Sequence, residues 1–135
     1  MPTTALPRLE SAWNAHSGQA VAETYTEGAV RIEYALPGAR LEGRDAIAAQ
    51  TQAYMDAVPD GRLEVRHIIG EADGEMTVEW TLRGTHSGEL PGLPARGEDV
   101  ALNGVSVWMM DGELIREEHV YWDAATLLAG AGVLG

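Results

Sequence analysis

Apolar and polar residues alternate along the second half of the chain in a way that predicts strands at Leu63 to Ile69, Met76 to His86 and Asp99 to Met110, each bounded by Gly, Pro or Asp-Gly turn signals. A fourth strand follows the Asp111-Gly112 turn and runs from Ile115 through Tyr121 to Asp123, where an apolar tail begins. The first half has a different period. Leu6, Leu9 and Trp13 stand at helical spacing within residues 5–17, Gly18 is a stop, and a short second helix is expected over residues 19–27, ended by Gly28. Val30, Ile32 and Tyr34 then alternate with Arg31 and Glu33 as a first strand closed by Pro37-Gly38, and Leu41-Glu42 allows a very short second one. Arg44 to Val58 reads as the strongest helix: Ile47, Thr51, Tyr54, Met55 and Val58 approach one face, and Pro59-Asp60-Gly61 breaks it.

Alternation also assigns faces, because successive strand residues point to opposite sides of a sheet. It turns Met76, Val78, Trp80 and Leu82 inward with His86 in register, unless a bulge at Gly84 flips that histidine out. It places His67 inward with Leu63, Val65 and Ile69, and Tyr34 inward with Ile32; Arg31, Glu79, Thr81 and Arg83 are expected on the outer side. In the last strand Ile115, Glu117, His119, Tyr121 and Asp123 share the face expected to line a pocket, against Arg116, Glu118, Val120 and Trp122. The strand 99–110 is apolar on both sides, Trp108 and Met110 on one and Val105, Val107 and Met109 on the other, so both should be covered and Trp108 is expected at or near a subunit contact.

Helices first and an antiparallel run of strands afterwards indicate an α+β domain, with helices gathered on one side of a curved sheet. The 135 residues suit one domain with a sizeable core, and no repeat or linker divides them. Nine basic residues, all arginine, face 21 acidic ones for a net charge of −12, which speaks against nucleic-acid binding. Cysteine is absent, so disulfides and thiolate metal sites are excluded. No basic leader or membrane-length apolar run is visible, and a cytoplasmic protein with no membrane contact is expected.

The candidate chemistry lies on the inward faces. His119, His86 and His67 could each serve as proton relay, oxyanion donor or substrate-positioning group, or stand as hydrogen-bonded structural residues. Tyr34, Tyr54, Trp80, Trp108 and Tyr121 suit the walls of a cavity for a flat polycyclic substrate, and equally the packing of a core. Glu117, Glu118 and Asp99 read as solvated or paired, and Glu117, which shares the face of His119, is also a candidate substrate contact. Asp123 precedes Ala-Ala-Thr-Leu-Leu, a good helix N-cap position, as well as ending the polar row. No HxH or HExxH spacing gathers His86, His119 and Asp123 as metal ligands, so no metal is expected.

The segment from Arg83 to Gly135, with Gly84-Thr85-His86, Gly88, Gly92-Leu93-Pro94, Gly97, Asp111-Gly112, the strand Ile115 to Tyr121 and Asp123 leading into Leu127-Leu128, resembles the C-terminal half of the SnoaL-like polyketide cyclases of the nuclear transport factor 2-like superfamily. The resemblance implies a single domain over residues 1–135, shaped as a cone-like curved antiparallel sheet packed on N-terminal helices around one deep apolar cavity. It further implies a cofactor-free cyclase or isomerase closing a ring by an aldol-type step on an apolar or polycyclic small molecule, and a homodimer. One aspartate near the end of the last strand is then the general acid/base, and Asp123 matches it. Two features depart from many relatives: His119 stands where a Trp is usual, and Ala129-Gly130-Ala131-Gly132 where the ending is Gln-Gln-Leu-Gly. An epoxide-opening hydrolase on the same scaffold, requiring two carboxylates and an arginine around one water, and a non-catalytic small-molecule binder are the alternatives.

Overall fold

A computed structural model describes residues 5–35, 38–72, 74–89 and 94–130. Pro37, Gly92, Leu93, Ala131, Gly132 and the closing Gly135 of the motifs above lie outside the described residues. The elements run α1 (Ala5–Asn14), α2 (Gly18–Ala22), β1 (Tyr25–Glu33), β2 (Ala39–Glu42), α3 (Arg44–Ala57), β3 (Arg62–Ala72), β4 (Glu75–His86), β5 (Glu98–Asp111), β6 (Leu114–Trp122) and α4 (Ala124–Gly130). Six strands form one sheet in the order β2-β1-β6-β5-β4-β3. The α+β class holds, but the sheet is mixed: β1 runs parallel to β6, and the other pairs are antiparallel.

The main difference in boundary is at the second helix. It stops at Ala22, and Tyr25 already begins β1. Ser17 caps its start, its side chain accepting from the Ala20 N–H. Gly18 lets α2 lie directly on α3, since a Cβ there would stand 2.5 Å from the Ala48 carbonyl oxygen. α3 buries Ile47, Thr51 and Met55, one residue per turn, against a core of Leu9, Val21, Tyr25, Ala29, Leu63, Met76, Val78, Trp108 and Ile115.

Bulges decide which side chains this core receives. In β4 the alternation runs unbroken, with Met76, Val78, Leu82 and His86 buried and Arg83 exposed, although Thr81 is also buried, bonded to the Asn103 side chain. In β6 one step on β5, Met109 to Met110, spans two on β6, Glu117 to Ile115. Arg116 is therefore the extra residue of a bulge, and every side chain after it changes face. Glu118, Val120 and Trp122 turn inward; Glu117, His119 and Tyr121 turn outward, with Tyr121 46% exposed.

Two more strands need the same correction. In β3, Val65 pairs with Trp80 but His67 with Glu79, so Arg66 is a bulge and His67 lies exposed, bonded to Glu79 at 2.8 Å. In β1, five steps from Tyr25 to Val30 span two on β6, Ile115 to Glu117. After that irregularity Arg31 and Glu33 are buried while Tyr34 is 51% exposed. Trp108 is likewise 2% exposed inside the chain itself, not at an outer contact; the outer side of β5 carries Val105, Val107 and Met109.

Candidate active site

The inverted faces of β1 and β6 bring charge into the interior. Arg31 and Glu118 are register partners on the parallel pair, and the Arg31 Nε donates to Glu118 Oε1 at 2.7 Å. Tyr25 donates its hydroxyl to the same oxygen at 2.6 Å, and the Trp108 indole N–H donates to Oε2 at 2.6 Å. From the helix side α3 supplies Thr51 Oγ1 at 2.8 Å and Gln50 Oε1 at 3.1 Å to Arg31 Nη1, while Nη2 donates to the Tyr25 hydroxyl at 2.9 Å. A buried ion pair persists only when its remaining donors and acceptors are also satisfied, and here each nitrogen has a partner. Burial alone would pull the arginine's pKa down, but Tyr25 and Glu118 outweigh it and push it up. Burial raises the Tyr25 phenol well above its ordinary value, so both groups keep their protons.

Glu33 stands two residues along β1 on the same face, level with Val120 of β6. It accepts hydrogen bonds from the Trp122 indole N–H and, at 3.2 Å, from the Tyr54 hydroxyl of α3. Desolvation raises its pKa above the usual carboxylate range, only partly offset by the bond from Trp122 and by Arg31. The Tyr54 phenol is raised too, by its burial and by the carboxylate beside it. A carboxyl held by neutral donors, its pKa raised by burial, is able to give and take a proton.

Both groups open on one cavity of about 100 Å³ between the sheet and the helices α1, α3 and α4. Its walls are otherwise largely apolar, with Leu9, Trp13, Leu63, Val78, Trp80, Leu82, Leu102 and Leu127 among the lining residues. A polar site holds a water once about 10–15 Å³ is free, so this space admits several waters or part of a ligand. Trp80 lies against Gly104 and donates to Ser106 Oγ at 3.1 Å. Among the described residues no group of three or more His, Asp or Glu is placed to hold a metal ion, and no helix is long and apolar enough to cross a membrane.

Of the residues singled out from the sequence, His86, Tyr54, Trp80 and Trp108 line this cavity. Tyr34, His67, Glu117, His119, Tyr121 and Asp123 are not in its walls. Tyr34 stacks on Tyr121, ring centroids 4.4 Å apart, and its hydroxyl meets His119 Nδ1 at 2.8 Å; the other His119 nitrogen meets Glu117 at 2.7 Å. That bond to His119 chiefly lowers the Glu117 pKa. These four side chains form a polar aromatic row on the opposite side of the sheet from the cavity. Asp123 is exposed and caps α4, accepting from the Thr126 N–H at 3.1 Å and from the Thr126 hydroxyl, which together lower its pKa. Tyr25, Arg31 and Glu33 escaped sequence reasoning, and Glu118, expected to be solvated or paired, is the buried partner of Arg31. Arg31 and Glu33 share parity with each other, and Glu118 with the apolar Val120 and Trp122, which was the available signal.

The SnoaL-like polyketide cyclase family matches residues 3–130, and the chain belongs to that family. Solved structures share its fold. IdmH of Streptomyces antibioticus, a proposed polyketide cyclase, is 23% identical with a TM-score of 0.79, covering 96% of both chains. TsrD of Streptomyces laurentii is 16% identical with a TM-score of 0.82 and 99% of both chains covered. SalBIII, an epoxide hydrolase/cyclase-like enzyme in pyran ring formation in the polyether salinomycin, is 20% identical with a TM-score of 0.72 over 90% of both chains. No curated protein matches the chain significantly.

Proposed function

We propose that this member of the family is a cofactor-independent acid/base enzyme of natural-product biosynthesis that closes or opens a ring on an apolar substrate, with Glu33 as the proton-transfer group. One observation carries the reading: a buried carboxyl of raised pKa faces an apolar cavity and is held only by neutral donors, Trp122 and Tyr54. As carboxylate, Glu33 removes a proton from an acidic carbon, a hydroxyl or a water. The carboxylic acid then returns that proton to the oxygen on which negative charge has developed. Arg31, fixed by Glu118 and Tyr25, contributes a permanent positive charge nearby that stabilises that oxygen.

Asp123, where the family's catalytic aspartate would fall, is assigned the capping of α4, because it lies exposed outside the cavity wall and accepts from Thr126. Epoxide opening is the second reading, favoured by the presence of two carboxylates and one arginine, Glu33, Glu118 and Arg31, around the same space. The outer sheet face, with Val105, Val107, Tyr34 and Tyr121, is read as the surface by which two copies associate.

Turnover of a panel of aryl epoxides and of polyketide-type 1,3-dicarbonyl compounds tests the assignment. Glu33→Gln should cut the rate by roughly 10²–10⁴ while Asp123→Asn leaves it unchanged. The reverse pattern moves the role to Asp123, and a protein that binds such compounds without converting any is a binder.

A further inference from the structure

The cavity wall carries a further polar group, on β4 rather than on β1 or β6. His86 continues the inward set of β4, is 1% exposed and contributes to the cavity wall, yet its Nε2 has no hydrogen-bond partner. A wholly buried donor or acceptor left unpaired costs about 1–3 kcal/mol, so native structures rarely retain one without a reason. Its backbone is held from both sides: Gly97 N–H donates to the His86 carbonyl at 3.1 Å, and the next two residues, Ser87 and Gly88, both donate to the Ala57 carbonyl at the end of α3 at 3.0 Å. The ring is therefore placed by the fold before any ligand arrives.

Register separates His86 from the acid/base group. Glu33 is level with Val120, Val120 with Ser106, and Ser106 with Val78. His86 lies eight residues beyond Val78 on β4, so the two groups sit three strands apart and at different levels of the sheet. The wall between them presents Trp80, Leu82, Leu102 and Leu127. We propose that the His86 imidazole is a distal anchor for substrate: its free Nε2 takes a carbonyl or hydroxyl oxygen at the far end of an elongated apolar molecule whose reacting end lies at Glu33. This rests on the cavity being the substrate site, and it narrows the substrate class to apolar skeletons oxygenated at both ends.

The test uses two probes of nearly equal shape, 2-tetralone and its hydrocarbon tetralin, with binding followed through the cavity tryptophans. Wild-type protein should bind the ketone roughly 5- to 100-fold more tightly, the range expected when an oxygen satisfies an unpaired buried partner. His86→Leu should abolish the preference and His86→Gln, which retains a polar amide, should restore part of it. In wild-type protein the ketone, and not tetralin, should shift the His86 Nε2 resonance in a nitrogen-15 spectrum, a readout that needs no variant to fold. Equal binding of the two probes, binding of neither, an unmoved Nε2 resonance, or a preference that survives in folded His86→Leu overturns the anchor. Glu33→Gln should keep the ketone preference while losing turnover, so failure of the acid/base assignment and failure of the anchor are read separately.

Discussion

Arg31 and Glu118 meet across the parallel strands β1 and β6 at 2.7 Å, both buried, and the pair draws Tyr25, Thr51 and Trp108 into one hydrogen-bonded unit. Removing one partner leaves an uncompensated charge in the core. Arg31→Met should therefore lower the unfolding free energy by about 3–5 kcal/mol in urea titrations, and the double variant Arg31→Met/Glu118→Leu should regain most of that loss.

Glu33 makes stability depend on pH in a direction opposite to most carboxylates. Its folded-state pKa is raised by burial, so the folded chain holds the proton more tightly than the unfolded chain does. The contribution is fully present below the ordinary glutamate value and is lost as pH rises through the folded pKa. Melting temperatures measured from acid to neutral pH should show Glu33→Gln gaining on the wild type across that window and holding a constant offset above it.

Asp123 has the opposite sign. Thr126 lowers its folded pKa, so the cap stabilises above the ordinary aspartate value and the benefit disappears as pH falls through the folded pKa. Asp123→Ala should lower the melting temperature at neutral pH, and the difference from wild type should shrink in acid; Asp123→Asn, which still caps, should change little.

Gly104 sets the width of the cavity at Trp80. A Cβ there would stand 2.2 Å from the indole, so the ring must move into the cavity or the strands must part. Gly104→Ala should cost about 1–3 kcal/mol in chemical denaturation and weaken binding of bulky apolar probes, and adding Trp80→Leu should relieve the stability loss.

The outer face should respond to charge. Tyr121 sits opposite Val105 there and is half exposed. Light scattering should find a dimer for the wild type at micromolar concentration and a monomer for Tyr121→Arg, because an interfacial like-charge pair disfavours association.

Much of the fold was legible in the sequence because it depends on local period. The helix Arg44–Ala57 and the strands from Arg62 to Trp122 follow from apolar spacing and from Gly, Pro and Asp-Gly breaks, and the inward placement of Val78, Leu82 and His86 follows from unbroken alternation in β4. The same rule failed in β1, β3 and β6. A bulge inserts one residue and inverts every side chain beyond it, and nothing in the residues around Arg66 or Arg116 announces one. Alternation also takes charged residues as outward, yet Arg31 and Glu118 are buried because the parallel pairing of β1 with β6, distant in sequence, supplies each with the other. The family, the helices and the catalogue of strands could be read from the order of the amino acids. Which carboxylate faces the cavity was decided only in three dimensions, because strand pairing sets the register and the register sets the face.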